Sequence, residues 1–263
     1  MSELAKPRQF RGLLKRTITG LILVSVALAA LYAGKSAFWL LASLLGVAMM
    51  VEWSGLLQVE RWKTLVAALL LGGSLLFIHP SIRLIDGYTI FALAGCAVAI
   101  ALIGSSLRLG MGLLYIGLAI VAIVFLREQN GIELTLWTLA IVWATDIGAY
   151  FSGKAIGGAK LAPTYSPNKT WAGLIGGIAS ALLVSSLIVI NSLLLPLWLI
   201  PLAGIFAIVA QGGDLYESWL KRRAGVKDSS GLLPGHGGAL DRLDGLMPVS
   251  ICMAAILVMG LLS

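Results

Sequence analysis

Long apolar runs constrain this chain more than any other feature of its sequence. A helix that crosses the roughly 30 Å hydrocarbon core of a bilayer needs about 20 apolar residues. Nine stretches approach that length, near residues 17–34, 36–53, 64–80, 86–105, 109–126, 132–152, 170–191, 194–214 and 245–262. The first two are separated only near Gly34 and Lys35, so a total of eight is the alternative. We therefore predict an all-α integral membrane protein, a polytopic bundle of eight to nine transmembrane helices.

The composition agrees with a membrane location for the whole chain. Apolar residues make up 59% of the sequence and charged residues 12%, whereas soluble domains carry about 25% charged residues. We expect residues 1–263 to form one polytopic domain. Within it, residues 1–140 supply the N-terminal spans, and residues 141–263 carry two long polar loops, 153–169 and 215–244.

Positive charge is distributed unevenly about these spans. With the N-terminus in the cytoplasm, sixteen of the nineteen Lys and Arg residues fall on the cytoplasmic side, and only Lys35, Arg83 and Arg127 fall outside. Cytoplasmic loops of membrane proteins carry such an excess. The bias predicts a cytoplasmic N-terminus and places both long loops in the cytoplasm. Because it also accounts for the net charge of +7, we expect membrane lipid, and no nucleic acid, as a partner of the basic surface.

Three acids lie within or at the ends of predicted spans. Glu52 closes the second span, Asp146 lies about two turns before the end of the sixth, and Asp214 closes the eighth. A charge inside the bilayer costs about 2.5 kcal/mol or more and tends to be functional. The alternative is a helix cap or an ion pair. That alternative is as good as a functional role for Glu52 and weaker for the two aspartates, which have no base beside them in the sequence.

Residues 218–244 (SWLKRRAGVKDSSGLLPGHGGALDRLD) form the longest polar stretch in the chain. Helical continuation of the eighth span would place on one face Asp214, Glu217 or Ser218, and Lys221. Carboxylates suit Mg²⁺, which takes its other ligands from water and substrate phosphates. Lys and Arg side chains bind phosphate oxygens. The stretch therefore indicates a phosphate and metal site.

The end of this stretch has both functional and structural interpretations. The backbone amides around His236, Gly237 and Gly238 could approach an anion closely, because glycine has no side chain. Asp241 and Asp244 lie where a helix begins, so one of them could be an N-cap worth about 1 kcal/mol. His236 itself could bind a metal, act as a base or bond a loop. A zinc site is not expected, because the chain lacks a second polar histidine and its two cysteines lie in apolar runs.

Two blocks of residues agree with a known family pattern. The first comprises Ser218, Lys221, Arg222, Lys227, Asp228, Pro234, His236, Gly237, Gly238, Asp241, Arg242 and Asp244. The second comprises Lys160-Leu161-Ala162-Pro163 and Ser166-Pro167-Asn168-Lys169-Thr170-Trp171-x-Gly173. Together with Asp146-x-x-Ala149-Tyr150 and, more loosely, Glu52-Trp53, these blocks resemble the phosphatidate cytidylyltransferases, also called CDP-diacylglycerol synthases. The resemblance covers roughly residues 50–263 and is best beyond 140. One departure is Ala172, where members commonly carry Glu, and we assign no role to that position.

The resemblance implies a reaction in which the phosphate of phosphatidic acid attacks the α-phosphorus of CTP, giving CDP-diacylglycerol and pyrophosphate. It implies a bacterial inner-membrane enzyme whose active site faces the cytoplasm, with residues 141–263 as the catalytic half. The expected cofactor is Mg²⁺ or another divalent cation, as one ion or two. The expected metal ligands are Asp146, Asp214 and Asp241.

The resemblance also implies roles for the other matching residues. Lys221 and Arg222 are the expected catalytic cations, and they are expected to bind phosphate together with Lys169 and Lys227. The residues expected to shape the substrate pocket are Ser166, Asn168, Ser218, Asp228, His236, Gly237, Gly238, Arg242 and Asp244.

Several alternatives stay open at this stage. A relative could act on another lipid phosphate, such as that of an ether lipid. An ion or solute transporter could use Asp146 and Asp214 as coupling acids, although the polar residues gather at one face and no inverted repeat is visible. A structural protein whose basic loop binds anionic lipid would not need acids beside the bases. The acid-rich motif of CDP-alcohol phosphotransferases is absent from the sequence. A homodimer is an open alternative to a monomer.

Overall fold

A computed structural model describes residues 6–77, 79, 87–233, 235 and 237–260. Helices and one small sheet make up the described chain. The helices are α1 (Lys6–Ala33), α2 (Lys35–Leu56), α3 (Arg61–Leu76), α4 (Gly87–Ile103), α5 (Leu107–Gln129), α6 (Gly131–Ile156), α7 (Trp171–Ile190), α8 (Leu199–Arg223), α9 (Leu240–Leu243) and α10 (Leu246–Val258). The strands are β1 (Lys160–Ala162) and β2 (Ser166–Thr170). The predicted site residue His236 lies outside the described residues.

Within the described residues, five helices are long and apolar enough to cross a membrane, namely α2, α5, α6, α7 and α8. Shorter apolar helical segments occur at Thr19–Ala33, Tyr88–Ile103 and Leu246–Val258. Each of the nine apolar stretches found in the sequence overlaps a helix. The expectation of a helical membrane protein is confirmed.

Apolar side chains also cover the outside of this bundle. Large exposed examples are Leu40, Leu65, Phe91, Ile175 and Leu183. In water, an outer surface so rich in large apolar groups would promote aggregation. Hydrocarbon imposes no such cost, and α-helices satisfy their own backbone polar groups there. The apolar outer surface of the bundle is therefore suited to contact with lipid.

The break between α1 and α2 depends on one glycine. Gly34 has φ +59°, a left-handed conformation that glycine adopts without a Cβ penalty. A Cβ at this position would overlap the guanidinium of Arg127, whose Nε donates to the carbonyl of Leu31 at 2.6 Å. The predicted separation of the first two helices is confirmed.

Both predicted polar loops are shorter than expected, because their flanking helices continue into them. Helix α6 runs to Ile156 and α8 to Arg223, and the Lys and Arg side chains near both ends are long enough to reach water from a helix. The first loop also contains an antiparallel hairpin that pairs Lys160 with Thr170 and Ala162 with Ser166. Parts of both loops therefore have regular secondary structure.

Helices α6 and α7 pack closely through small residues. A Cβ on Gly148 would overlap Ser180, and a Cβ on Gly176 would overlap Ser152. Small residues at such contacts allow two backbones to approach within van der Waals range in lipid. Close packing here brings the middle of α6, where Asp146 lies, beside the start of α7.

Candidate active site

Consecutive turns of α8 present polar side chains along one face. The Ser218 hydroxyl donates to Asp214 Oδ1 at 3.3 Å. One turn further on, Lys221 Nζ donates to Glu217 Oε2 at 3.1 Å, and Glu217 is only 2% exposed. Helix α8 continues past Gly213 to Arg223, so one face of it carries two acids followed by a base.

A second group forms where the hairpin meets this wall. Lys169, near the end of β2, makes an ion pair with Asp214 and donates to Gln211 Oε1 at 2.9 Å. The amide of Gln211 in turn lies 3.5 Å from Asp146 Oδ1. Thr170 follows Lys169 and caps α7, since its Oγ1 accepts from Gly173 N at 3.0 Å. The cap fixes the direction in which β2 enters α7 and so fixes where the ammonium of Lys169 lies.

Asp241 organises the third group. Lys221 Nζ lies 2.6 Å from its Oδ1. Its Oδ2 accepts from Gly238 N at 2.7 Å and from both Ser229 N and Ser229 Oγ at 2.9 Å. Burial alone would raise the pKa of Asp241, but the Gly238 amide, Lys221 and the Ser229 amide together hold the pKa below its ordinary value. Asp241 is therefore a carboxylate held by four hydrogen bonds.

The Gly-Gly step beside Asp241 is needed for space. Gly237 has φ +81°, and a Cβ on it would meet the Asp241 carboxylate at 2.5 Å. A Cβ on Gly238 would overlap Ser229 Oγ and the carboxylate of Glu52. The anion that the Gly238 amide approaches is thus a carboxylate of the chain itself.

These groups surround a cavity of about 680 Å³, within the usual range for a small-molecule site. Nine predicted site residues line it, namely Asp146, Asn168, Lys169, Asp214, Lys221, Asp228, Asp241, Arg242 and Asp244. The wall also includes Tyr150, Lys154, Thr170 and Gln211, for which the sequence predicted no site role.

Six other predicted site residues are not on the cavity wall. They are Ser166, Ser218, Arg222, Lys227, Gly237 and Gly238. Ser218 and Gly238 donate hydrogen bonds to carboxylates that line the cavity. Arg222 instead bonds two backbone carbonyls, donating from Nε to Tyr165 O at 3.3 Å and from Nη1 to Val226 O at 3.0 Å. Arg222 thereby ties the end of α8 to the hairpin.

The carboxylates of the cavity are the type of ligand that a hard divalent cation prefers. The carboxyl groups of Glu217 and Asp244 face each other at hydrogen-bonding range, and Glu217 Oε1 is buried without a donor. Burial, and then the charges of Asp214 and Glu217, raise the pKa of Asp244 well above its ordinary value. Two such acceptors at close range need a proton or a cation between them.

A closed metal cage is not present in the part of the chain that the structure describes. There, no three His, Cys, Asp or Glu side chains are grouped closely enough to hold a metal ion as they stand. Mg²⁺ does not require one, since it keeps several waters and uses one or two carboxylates together with substrate phosphates. The residues present fit such an open site.

Three residues that the geometry makes prominent received no site role from the sequence. Gln211 connects Lys169 to Asp146, and Ser229 bonds both Asp241 and Glu52. Glu52 is 5% exposed and receives hydrogen bonds from four groups of the second loop. An acid or amide inside an apolar run was the available signal for Glu52 and Gln211, while Ser229 gave none.

The comparison with known proteins defines the class of this protein. Residues 14–259 match the profile of the Cytidylyltransferase family. The match covers well over half of the chain, so the chain belongs to that family.

Similar curated proteins carry a more specific name. The phosphatidate cytidylyltransferase of Brucella suis is 41% identical over 249 residues, which cover 88% of each chain. That of Pseudomonas aeruginosa is 36% identical over 267 residues, covering 92% of this chain and 96% of the relative. That of Bacillus subtilis is 33% identical over 253 residues, covering 89% and 93%.

Proposed function

We propose that this chain is a phosphatidate cytidylyltransferase, which converts CTP and phosphatidic acid into CDP-diacylglycerol and pyrophosphate. The observation that carries the proposal is the cavity in which Lys169 and Lys221 converge with Asp146, Asp214 and Asp244. Such a set of charges fits phosphates and a divalent cation. The names of the relatives support the nucleotide and the lipid.

The reaction needs positioning and charge neutralisation more than a covalent nucleophile. An oxygen of the lipid phosphate forms a bond to the α-phosphorus of CTP. The bond from that phosphorus to the oxygen bridging to the β-phosphate breaks, and pyrophosphate leaves with its electron pair. The attacking phosphate is anionic at neutral pH, so no general base is required.

The lysines are the groups best placed to bind phosphate oxygens. Lys169 and Lys221 are each held by a carboxylate, so their ammonium groups are oriented before a substrate arrives. Arg242 lines the same cavity and can bind two phosphate oxygens at once. Phosphate binding by Arg222 and Lys227 stays a prediction, as do pocket roles for Ser166, Asn168, Ser218, Asp228, His236, Gly237 and Gly238.

The proposed cofactor is Mg²⁺ or another divalent cation, held by Asp146, Asp214 and Asp241. When bound, it supplies positive charge that neutralises and orients the phosphates. Asp244 is a further candidate, because it shares the cavity and faces Glu217. Asp241 would give up the hydrogen bond from Lys221 on binding a metal, whereas Asp146 has only a distant amide at 3.5 Å.

The proposed setting is a bacterial inner membrane, spanned eight or nine times, with the N-terminus and the cavity on the cytoplasmic side. The distribution of Lys and Arg supports this orientation. CTP is cytosolic and phosphatidic acid lies in the leaflet, so a cavity at the cytoplasmic interface gives access to both substrates.

One assay tests the proposal. Purified protein in detergent, given Mg²⁺, CTP and phosphatidic acid, is expected to release pyrophosphate and form CDP-diacylglycerol in equal amounts. EDTA should abolish turnover and excess Mg²⁺ should restore it. Other lipid phosphates, including an ether-linked one, serve as competitors to establish which lipid is preferred. Absence of pyrophosphate with every lipid phosphate would contradict the enzyme proposal and favour a transporter or a structural role.

A further inference from the structure

Glu52 is in polar contact with the second loop, although the two are far apart in the sequence. It lies near the end of α2 and is 5% exposed. Its Oε1 accepts from Ser230 Oγ at 2.7 Å and Ala239 N at 2.9 Å. Its Oε2 accepts from Leu240 N at 2.8 Å, and Ser229 Oγ lies 3.0 Å away with a single hydrogen to share between Glu52 and Asp241. One side chain from the N-terminal half of the chain thus bonds both ends of the segment 229–240.

This segment leads directly to the acids of the cavity. Ser229 joins Glu52 to Asp241, because its hydroxyl lies within hydrogen-bonding distance of both carboxylates. Asp241 in turn pairs with Lys221. Glu52, Ser229, Asp241 and Lys221 therefore form one continuous chain of polar contacts between α2 and α8.

The packing leaves the segment little freedom to shift. A Cβ on Gly238 would overlap both oxygens of Glu52 and the hydroxyl of Ser229. If the carboxylate of Glu52 were lost, the Ala239 and Leu240 amides would lose their acceptor within a tightly packed contact. Leaving such buried groups unpaired is costly, so the segment would rearrange.

We propose that Glu52 is a positioning residue for the reaction. It holds the segment 229–240 so that Asp241 and Asp244 stand against the wall of α8. Glu52 does not line the cavity and acts through Ser229 and the backbone of residues 239 and 240. The kinetic test of this role rests on the proposed cytidylyl transfer, whereas the structural test does not.

The kinetic test compares Glu52→Gln with Glu60→Gln. Glutamine keeps the shape of Glu52 but replaces one acceptor oxygen with an NH₂ group, which cannot accept hydrogen bonds from the donors of the second loop. Misplaced reacting groups lower the rate on the order of 100-fold, so kcat of Glu52→Gln should fall by about 10- to 100-fold, with much smaller changes in the KM of either substrate. Glu60 is the matched control because it follows the same helix and its side chain is 64% exposed. Glu60→Gln should keep wild-type kcat. A wild-type kcat in folded Glu52→Gln, or a change confined to KM, would overturn the proposal.

A double-mutant cycle tests the route through Ser229. If Glu52 acts through this hydroxyl, then Glu52→Gln and Ser229→Ala should be non-additive in kcat, as interacting residues are. Ser230→Ala removes a different hydrogen bond to the carboxylate of Glu52 and leaves the Ser229 contact with Asp241 in place. It should therefore lower kcat much less than Ser229→Ala does. Strictly additive effects of Glu52→Gln and Ser229→Ala would overturn the route.

Hydrogen exchange gives a readout that needs no activity. In Glu52→Gln, the amides of residues 229, 230 and 238–240 should exchange faster than in wild type, while those of α7 are unchanged. If Glu52→Gln does not fold, Glu52→Asp keeps the charge on a shorter side chain and should show a smaller increase. Unchanged exchange in the folded variant would refute the positioning role. An inactive wild type with faster exchange in the variant would refute only the proposed reaction.

Discussion

The charged residues of the cavity are arranged as pairs. Lys169 is paired with Asp214, and Lys221 with Asp241. Burying a lone charge is costly, and a partner with good geometry offsets much of that cost. The pairs also restrict the lysine side chains, which would otherwise sample many rotamers. The cavity therefore holds its phosphate-binding groups in place before substrate binds, which lowers the entropy lost on binding.

The lowered pKa of Asp241 predicts a pH-dependent contribution to stability. The ordinary value is 3.8 and the folded value lies below it. The ionised carboxylate therefore stabilises the fold fully above about pH 4, and this contribution is lost as the pH falls through the folded pKa. Asn at position 241 cannot ionise. We expect the difference in thermal midpoint between wild type and Asp241→Asn, measured in detergent, to be largest near neutral pH and to shrink on acidification. An equal difference at pH 7 and pH 3 would contradict the assigned cause.

The sequence alone indicates a functional role for some residues of the cavity and gives no signal for others. Asp146 and Asp214 could be predicted because a charge within an apolar run has few structural explanations. Ser229 could not, because a serine in a polar loop gives no signal until its neighbours in space are known. For Gly237 and Gly238 the sequence predicts a close approach to an anion, but it does not reveal that this anion is a carboxylate of the chain itself. They make room for Asp241 and Glu52, and that requirement depends on contacts between distant parts of the chain.

Among the elements, α8 supplies Gln211, Asp214 and Lys221 to the cavity. One glycine sets the distance of α8 from the segment that joins α9 to α10. A Cβ on Gly213 would overlap the carbonyl oxygen of Asp244 and the ring of Pro248. The neighbouring Gly212 faces open space, where a Cβ would have nothing within 4 Å. Of these two adjacent glycines, only Gly213 is therefore required for packing.

This difference predicts opposite outcomes for two adjacent substitutions. Gly213→Ala should destabilise the protein by about 1–3 kcal/mol, as overpacking does, and lower turnover by moving Asp244. Gly212→Ala should be neutral or stabilising, since alanine is favoured over glycine in a helix by about 1 kcal/mol. Thermal unfolding in detergent and pyrophosphate release measure the two effects. Equal behaviour of the two variants would contradict the packing argument.

The extent of each element was less predictable than its existence. Every apolar stretch proved helical, yet α6 and α8 extend into the polar loops. Hydropathy marks where a helix leaves the hydrocarbon, and it does not mark where the helix ends, because charged residues also form helices in water. The hairpin of β1 and β2 is too short and too polar to give the alternating pattern of a strand.

At the scale of the whole molecule, the arrangement of charge predicts an orientation that labelling can test. In a background with Cys96→Ser and Cys252→Ser, single cysteines are introduced as Lys160→Cys in β1 and Asn191→Cys after α7. Both positions are exposed, and the 20 residues of α7 span about 30 Å between them. An impermeant maleimide should label Asn191→Cys in cells with a permeable outer membrane and Lys160→Cys only after lysis. The reverse pattern would contradict a cytoplasmic cavity.

The contact between Glu52 and the second loop also determines an order of assembly. Glu52 precedes Leu240 by 188 positions, so the ribosome completes α2 long before it makes the donors that bond this carboxylate. Until then the carboxylate must stay hydrated at the end of α2, because an unpaired charge would not enter the protein interior. Docking of residues 229–240 onto Glu52 consequently comes after α1 to α8 have been synthesised. A nascent chain that ends before this segment would contain those helices but no competent site, so catalytic ability requires synthesis to continue through residue 240 and beyond.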